Sequence, residues 1–185
     1  MQMRKLVVAL ALLAAGPAAA TELEIQIAGE GANGTVTVDL FDDVAPGHVE
    51  RITTLADEGA YDGVYFHRVI DGFMAQTGDV EFAKKGGDMR KAGMGGSKYP
   101  DLKAEFSDED FDRGVIGMAR SSDPDSANSQ FFIMFAPAPH LNGQYTVVGK
   151  VIDGMDVVDQ IKRGTGPNGA VIGEPDRMVS VRVVE

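Results

Sequence analysis

The chain reads as a mainly β domain whose strands either close into an antiparallel barrel or stack as a sandwich. Three observations carry this expectation. About eight short runs are apolar or alternate between apolar and polar residues, with turn residues between them. Only two stretches show helical spacing. No strand–helix unit repeats, so nothing builds a parallel sheet.

Taken in order, Leu23–Ala28 alternates as a half-buried strand does, and so does Thr35–Leu40. Gly29–Gly34 connects them, and Asn33-Gly34 is the turn signal of the hairpin. The same residues begin an Asn-Gly-Thr glycosylation sequon, which the turn explains without a sugar. Pro46 opens a helix with Val49, Ile52, Leu55 and Ala56 on one face, and Gly59 ends it. Phe66–Asp79 is a strand, a tight turn at Asp71-Gly72 and a second strand. Asp79–Ala104 is long, glycine-rich, locally basic and without clear periodicity, as a loop at the rim of a binding site would be. Val115–Ala119 is a short strand, Ser121–Asn128 a polar loop, and Phe131–Phe135 a buried strand apolar on both faces. Tyr145–Val151 is a further strand. Met155, Val158 and Ile161 stripe a second helix that ends near Gly164, and Met178–Val184 alternates as the last strand.

The first 20 residues differ from the rest. Arg4 and Lys5 precede an apolar run, Leu6–Ala15, and Ala18-Ala19-Ala20 supplies small residues for cleavage before Thr21. This is the pattern of a secretory signal peptide. The apolar run is too short to span a bilayer comfortably as an uncleaved anchor. The expected domains are therefore 1–20, signal peptide, and 21–185, one folded unit. The alanine-rich leader points to a bacterial periplasm. Of 17 basic residues, Arg4 and Lys5 leave with the leader, so 15 face 28 acidic ones and the net charge becomes −13. That balance argues against nucleic acid and anionic membrane surfaces as partners. A single acidic domain of this size is expected to be a monomer without stable membrane insertion. The absence of cysteine excludes disulfides, thiol chemistry and cysteine metal sites.

Several chemistries lack their residues. The three histidines, His48, His67 and His140, form no compact ligand set. There is no Gly-x-Ser-x-Gly elbow and no dinucleotide fingerprint, and Gly95-Gly96-Ser97-Lys98 has the wrong order for a phosphate loop. No cofactor is expected. His48 reads as a surface residue at the helix start, and His67 as a packed, hydrogen-bonded strand residue.

The Phe66–Asp79 hairpin is chemically odd. Arg68, Met74 and Gln76 fall within nine residues, and alternation puts Met74 and Gln76 on one face of its second strand. A cation, an amide and apolar surface could converge there on something partly apolar and partly peptide-like. The whole stretch, Phe66-His67-Arg68-Val69-Ile70-Asp71-Gly72-Phe73-Met74-Ala75-Gln76-Thr77-Gly78-Asp79, resembles the signature of the cyclophilins, the peptidyl-prolyl cis-trans isomerases. Gly117-Met118-Ala119 with Asn128-Ser129-Gln130-Phe131-Phe132-Ile133 resembles the family's second site segment. Leu141-Asn142-Gly143, Val148–Val151 and Gly154–Val158 are similar to those that follow. The resemblance runs over nearly all of Leu23–Glu185.

It implies a closed eight-stranded antiparallel β-barrel capped by two α-helices, with the site on an outer face. It implies acceleration of X–Pro isomerisation in proline-containing polypeptides, unfolded or newly exported. The alternative on the same pocket is a non-catalytic proline-peptide binding module or chaperone. By resemblance Arg68 is the catalytic donor. Phe73, Met74, Phe132 and Leu141 hold the proline ring, Gln76 and Gln130 bind the peptide and steady Arg68, and Ala119 and the main chain of Arg120 line the groove. Phe73 has the opposite strand parity to Met74, and its place beside the turn would relax that. Three positions depart from the best-known pattern: His140 stands for a tryptophan, Tyr145 for a histidine and Arg120 for an asparagine. The tryptophan contacts cyclosporin, so weak cyclosporin binding at most is expected.

Overall fold

The computed structural model describes residues 21–184. The expected signal peptide lies outside the described residues. Eight strands form one antiparallel sheet: β1 (Glu22–Ala28), β2 (Asn33–Leu40), β3 (Arg68–Ile70), β4 (Met74–Thr77), β5 (Val115–Met118), β6 (Phe131–Met134), β7 (Val147–Asp153) and β8 (Arg177–Val184). Their order is β3-β4-β6-β5-β7-β2-β1-β8. Two α-helices accompany them, α1 (Pro46–Asp57) and the short α2 (Met155–Asp159).

The sheet is mainly β and curled, but it is an open half-barrel rather than the expected closed barrel. Its end strands, β3 and β8, share no ladder. The reason is local. β3 has three residues, and Arg68 bridges Ala170 in the loop before β8. The residues just before β3 approach the other end. Tyr65 bridges Arg177, Phe66 N–H donates to Asp176 O at 2.9 Å, and Met178 N–H to Val64 O at 2.9 Å.

Both faces of the sheet are apolar, and this places the site. On one face Ile25, Val36, Val38, Ala75, Phe131 and Ile133 join Val49, Ile52, Leu55 and Ala56 of α1 in the main core. On the other, Met74, Phe111, Val115, Phe132, Met134, Leu141 and Val147 form a second, smaller cluster. The period-two alternation of β6 sends Phe131 and Ile133 one way and Phe132 and Met134 the other. That is why Phe131–Met134 reads as apolar throughout.

Two further expectations change. Asn33-Gly34 is not the β1–β2 turn. Asn33 pairs with Ala28 inside the ladder, and residues 29–32 make the loop. The buried Asp176 carboxylate fixes it, accepting from Gly31 N–H at 2.9 Å and Ala32 N–H at 3.2 Å, while Asn33 Nδ2 donates to Gly29 O. His48 is 0% exposed, not a surface residue. Glu105 reaches over the start of α1, accepts from Gly47 and His48 N–H, and meets His48 Nδ1 at 2.6 Å. Ala45, before Pro46, offers no side-chain cap, so a distant carboxylate does that work.

Candidate active site

The second apolar cluster opens to solvent as a pocket of about 160 Å³ lined by Arg68, Phe73, Met74, Gln76, Ala119, Arg120, Phe132, Leu141 and Tyr145. Strand pairing assembles it. Arg68 stands opposite Gln76, Gln76 opposite Phe132, and Phe132 opposite Gly117. Met74 and Gln76 share a face of β4, as alternation requires. Phe73 lies in the turn before β4, where strand parity does not bind it, and it too faces the pocket. Leu141 comes from a single 3-10 turn, Pro139–Leu141.

The pocket floor is aromatic and supported from behind. Phe132 stacks on Phe111 at 5.8 Å between centroids, and Tyr145 meets both edge-on. Gly117 is a spatial necessity: a Cβ there would lie 2.5 Å from Phe111 and 2.6 Å from Phe132. The Arg120 guanidinium lies 4.4 Å from the Tyr145 ring centroid and donates to Gln144 O and Ser121 O. It is thereby tied to the pocket wall.

Arg68 is held on three sides. Nη1 donates to Gln76 Oε1 at 3.0 Å, Nε to Asn168 O at 2.9 Å, and Nη2 to Asn168 Oδ1 at 3.0 Å. Gln76 Nε2 in turn donates to Gln130 Oε1 at 3.0 Å, and Gln130 Nε2 to Gly95 O at 2.8 Å. A guanidinium has five N–H donors, so one hydrogen on each Nη is left. Partial burial lowers the Arg68 pKa from its ordinary value, with the Tyr145 hydroxyl opposing, and guanidinium stays charged in proteins.

Two predicted residues sit elsewhere than in the pocket wall. Gln130 acts one step back, through Gln76. His140 is exposed, and its ring stacks on Phe73 at 5.8 Å from outside. His67 is packed as expected but not hydrogen-bonded, since neither ring nitrogen has a partner. Burial lowers its pKa, outweighing the nearby Asp79 carboxylate, so the ring is neutral at pH 7. Asn168 was missed by sequence reasoning. Its signal, Gly166-Pro167-Asn168-Gly169, is a turn sequence with no visible link to Arg68.

The fold that carries this pocket is shared with known proteins. The family model for cyclophilin-type peptidyl-prolyl cis-trans isomerases matches residues 23–183. The chain belongs to this family. A probable peptidyl-prolyl cis-trans isomerase of Brucella suis is 53% identical over 178 residues, which is 95% of this chain and 91% of that protein. The crystal structure of a cyclophilin-type isomerase from Cryptosporidium parvum superposes with a TM-score of 0.75 at 25% identity, covering 90% of this chain and 98% of that one. A second structure of the parasite protein, obtained in the presence of the dipeptide Ala-Pro, has a TM-score of 0.74 at 24% identity over 89% of this chain and 99% of that one.

Proposed function

We propose that this cyclophilin turns X–Pro bonds in exported, unfolded polypeptides, with Arg68 as the catalytic residue. The reading is carried by the fixed guanidinium at the mouth of a pocket sized for a pyrrolidine ring. Rotation meets a barrier of about 18–20 kcal/mol because the amide is conjugated. At the twisted transition state conjugation is lost, and the prolyl nitrogen becomes pyramidal with a lone pair free to accept. The two N–H groups that Arg68 keeps can donate to that nitrogen and gain little from the planar ground state. A preference of about 4 kcal/mol for the twisted state gives about a thousandfold. No bond is made or broken, so the step uses no nucleophile. Phe73, Met74, Phe132 and Leu141 hold the ring. Gln76, steadied by Gln130, binds the peptide main chain, and Ala119 and Arg120 line its path.

Cis-to-trans exchange of an Ala-Pro peptide tests the reading. The wild type should accelerate it, and Arg68→Ala should lose about a hundredfold or more in kcat/KM. Arg68→Lys should not restore the rate, because a lysine cannot keep three anchors and still present a donor. Full activity in Arg68→Ala would discard the mechanism. No activity in the wild type would leave a proline-peptide binding module.

Export would proceed through residues 1–20, with a mature chain starting at Thr21 in the periplasm; N-terminal sequencing of the periplasmic protein tests this. The mature chain would elute as a monomer, and cyclosporin would inhibit weakly at most.

A further inference from the structure

A second concavity, of about 610 Å³, adjoins the pocket; Arg68 and Gln76 line both. One wall is the loop around Met89 and Met94, the other is Pro167–Gly173, and His67 lies between them. Two of the six large apolar side chains exposed among the described residues line it, Met94 at 78% and Met89 at 38%, and half-buried Val171 lines the opposite wall. Both walls are fixed by contacts of the catalytic hairpin. Asp79 accepts from Gly93 N–H at 2.7 Å and Gly95 N–H at 3.2 Å, and Asn168 grips Arg68. Between the walls, buried His67 has two ring nitrogens without a partner.

We propose that this groove extends the isomerase site and takes apolar side chains flanking the proline of an unfolded polypeptide. The proposal rests on the reading of Arg68 and its pocket as the site of turnover. Because Arg68 and Gln76 belong to both concavities, a chain that crosses them passes from one into the other. Methionine suits such a wall, since its unbranched thioether repacks around varied partners. The basic residue on this wall does not favour an acidic client: Arg90 is already paired with Asp88 through Nε at 2.9 Å and Nη2 at 3.0 Å. The unexposed, neutral His67 adds no charge either.

The test compares three peptides on the full mature chain: a short Ala-Pro peptide, the same core flanked by leucines, and the same core flanked by glutamates. Wild type should favour the leucine-flanked peptide over the short one by about tenfold in kcat/KM, the worth of largely burying one apolar side chain. In Met89→Gln/Val171→Gln, with one change on each wall, that ratio should fall toward one. Amide NMR shifts at Ala92 and Gly173 on adding the leucine-flanked peptide report the groove independently of turnover. Equal rates for short and leucine-flanked peptides, a ratio kept by the variant, or a larger gain for glutamate flanks would overturn the proposal. If no peptide turns over, the reading of Arg68 fails, and the shifts at Ala92 and Gly173 alone then decide the groove.

Discussion

Arg68 and Asn168 stand 100 residues apart in sequence, yet Asn168 gives Arg68 two acceptors, its main-chain carbonyl at 2.9 Å from Nε and its side-chain oxygen at 3.0 Å from Nη2. A φ of 55° at Asn168 makes this possible. In this left-handed conformation both oxygens of Asn168 face Arg68, and asparagine enters that region more easily than most residues. The site arginine is thus oriented by a turn far along the chain as well as by its own hairpin partner, Gln76.

Replacing Asn168 should therefore reduce turnover without much changing peptide affinity. Asn168→Gly keeps the backbone conformation and the carbonyl but loses the side-chain acceptor. Asn168→Ala loses the acceptor and disfavours the turn. We expect kcat to fall in the order wild type, Gly, Ala, with the alanine variant down about tenfold, equivalent to about 1.4 kcal/mol, and KM changed little. Peptide-exchange kinetics measure both. An alanine variant with wild-type kcat would show that Gln76 alone suffices to hold Arg68.

Gly117 offers a test of pocket volume separate from Arg68. A methyl group there would press on Phe111 and Phe132 at 2.5 and 2.6 Å. Phe132 lines the pocket, so a displaced ring changes the pocket's volume. Gly117→Ala should lower kcat/KM about tenfold, mostly through KM, and cost about 1–3 kcal/mol of stability, as overpacking does. Denaturant melts and peptide kinetics on one sample separate the two effects. An unaltered KM would mean that Phe132 does not bound the proline ring.

The pH profile follows from which groups titrate. Burial holds the His67 pKa below its ordinary value, and Arg68 remains charged throughout. The rotation needs no group that gains or loses a proton, so kcat/KM should be nearly flat between about pH 6 and 8. A bell centred in that window would give His67 a part in the chemistry. Stability behaves differently. Below about pH 6.5 an unfolded chain protonates His67 while the folded chain resists, so the unfolded state binds more protons and stability declines as the pH falls.

Sequence pattern carried the strands, α1 and the hairpin closely, because each is a local matter of alternation, helical spacing or turn chemistry. Phe131–Met134 could be read as a buried strand, but not which of its residues face the core and which the pocket. That division depends on a second apolar cluster built from Phe111, Leu141 and Val147, which no local pattern announces. The failures share one physical cause. Asn33-Gly34 is a sound turn signal overridden by Asp176, 144 residues beyond Ala32. His48 is charged-residue territory by type, but Glu105 covers it from 57 positions away. Asn168 is the same case within the site. Long-range hydrogen bonds from single polar side chains leave no periodic trace.

Glu105 makes the last of these contacts testable. Its carboxylate takes Gly47 and His48 N–H and the His48 ring, replacing the side-chain cap that Ala45 cannot supply to α1. Partial burial pushes its pKa up, but the His48 ring and the two backbone donors outweigh this and hold it below the usual carboxylate value. A carboxylate whose folded pKa is depressed adds stability above its unfolded pKa, about 4.3, and loses that contribution as the pH falls through the folded value. Glu105→Ala should cost about 1–2 kcal/mol at pH 7, the worth of a helix cap with a charged acceptor. Urea melts of wild type and variant should show that difference intact at pH 6 and shrinking below about pH 4.3. The NMR titration of Glu105 should run below that of a free glutamate. A difference that persists undiminished at pH 3 would assign the stabilisation to packing of the side chain against His48 and not to its charge.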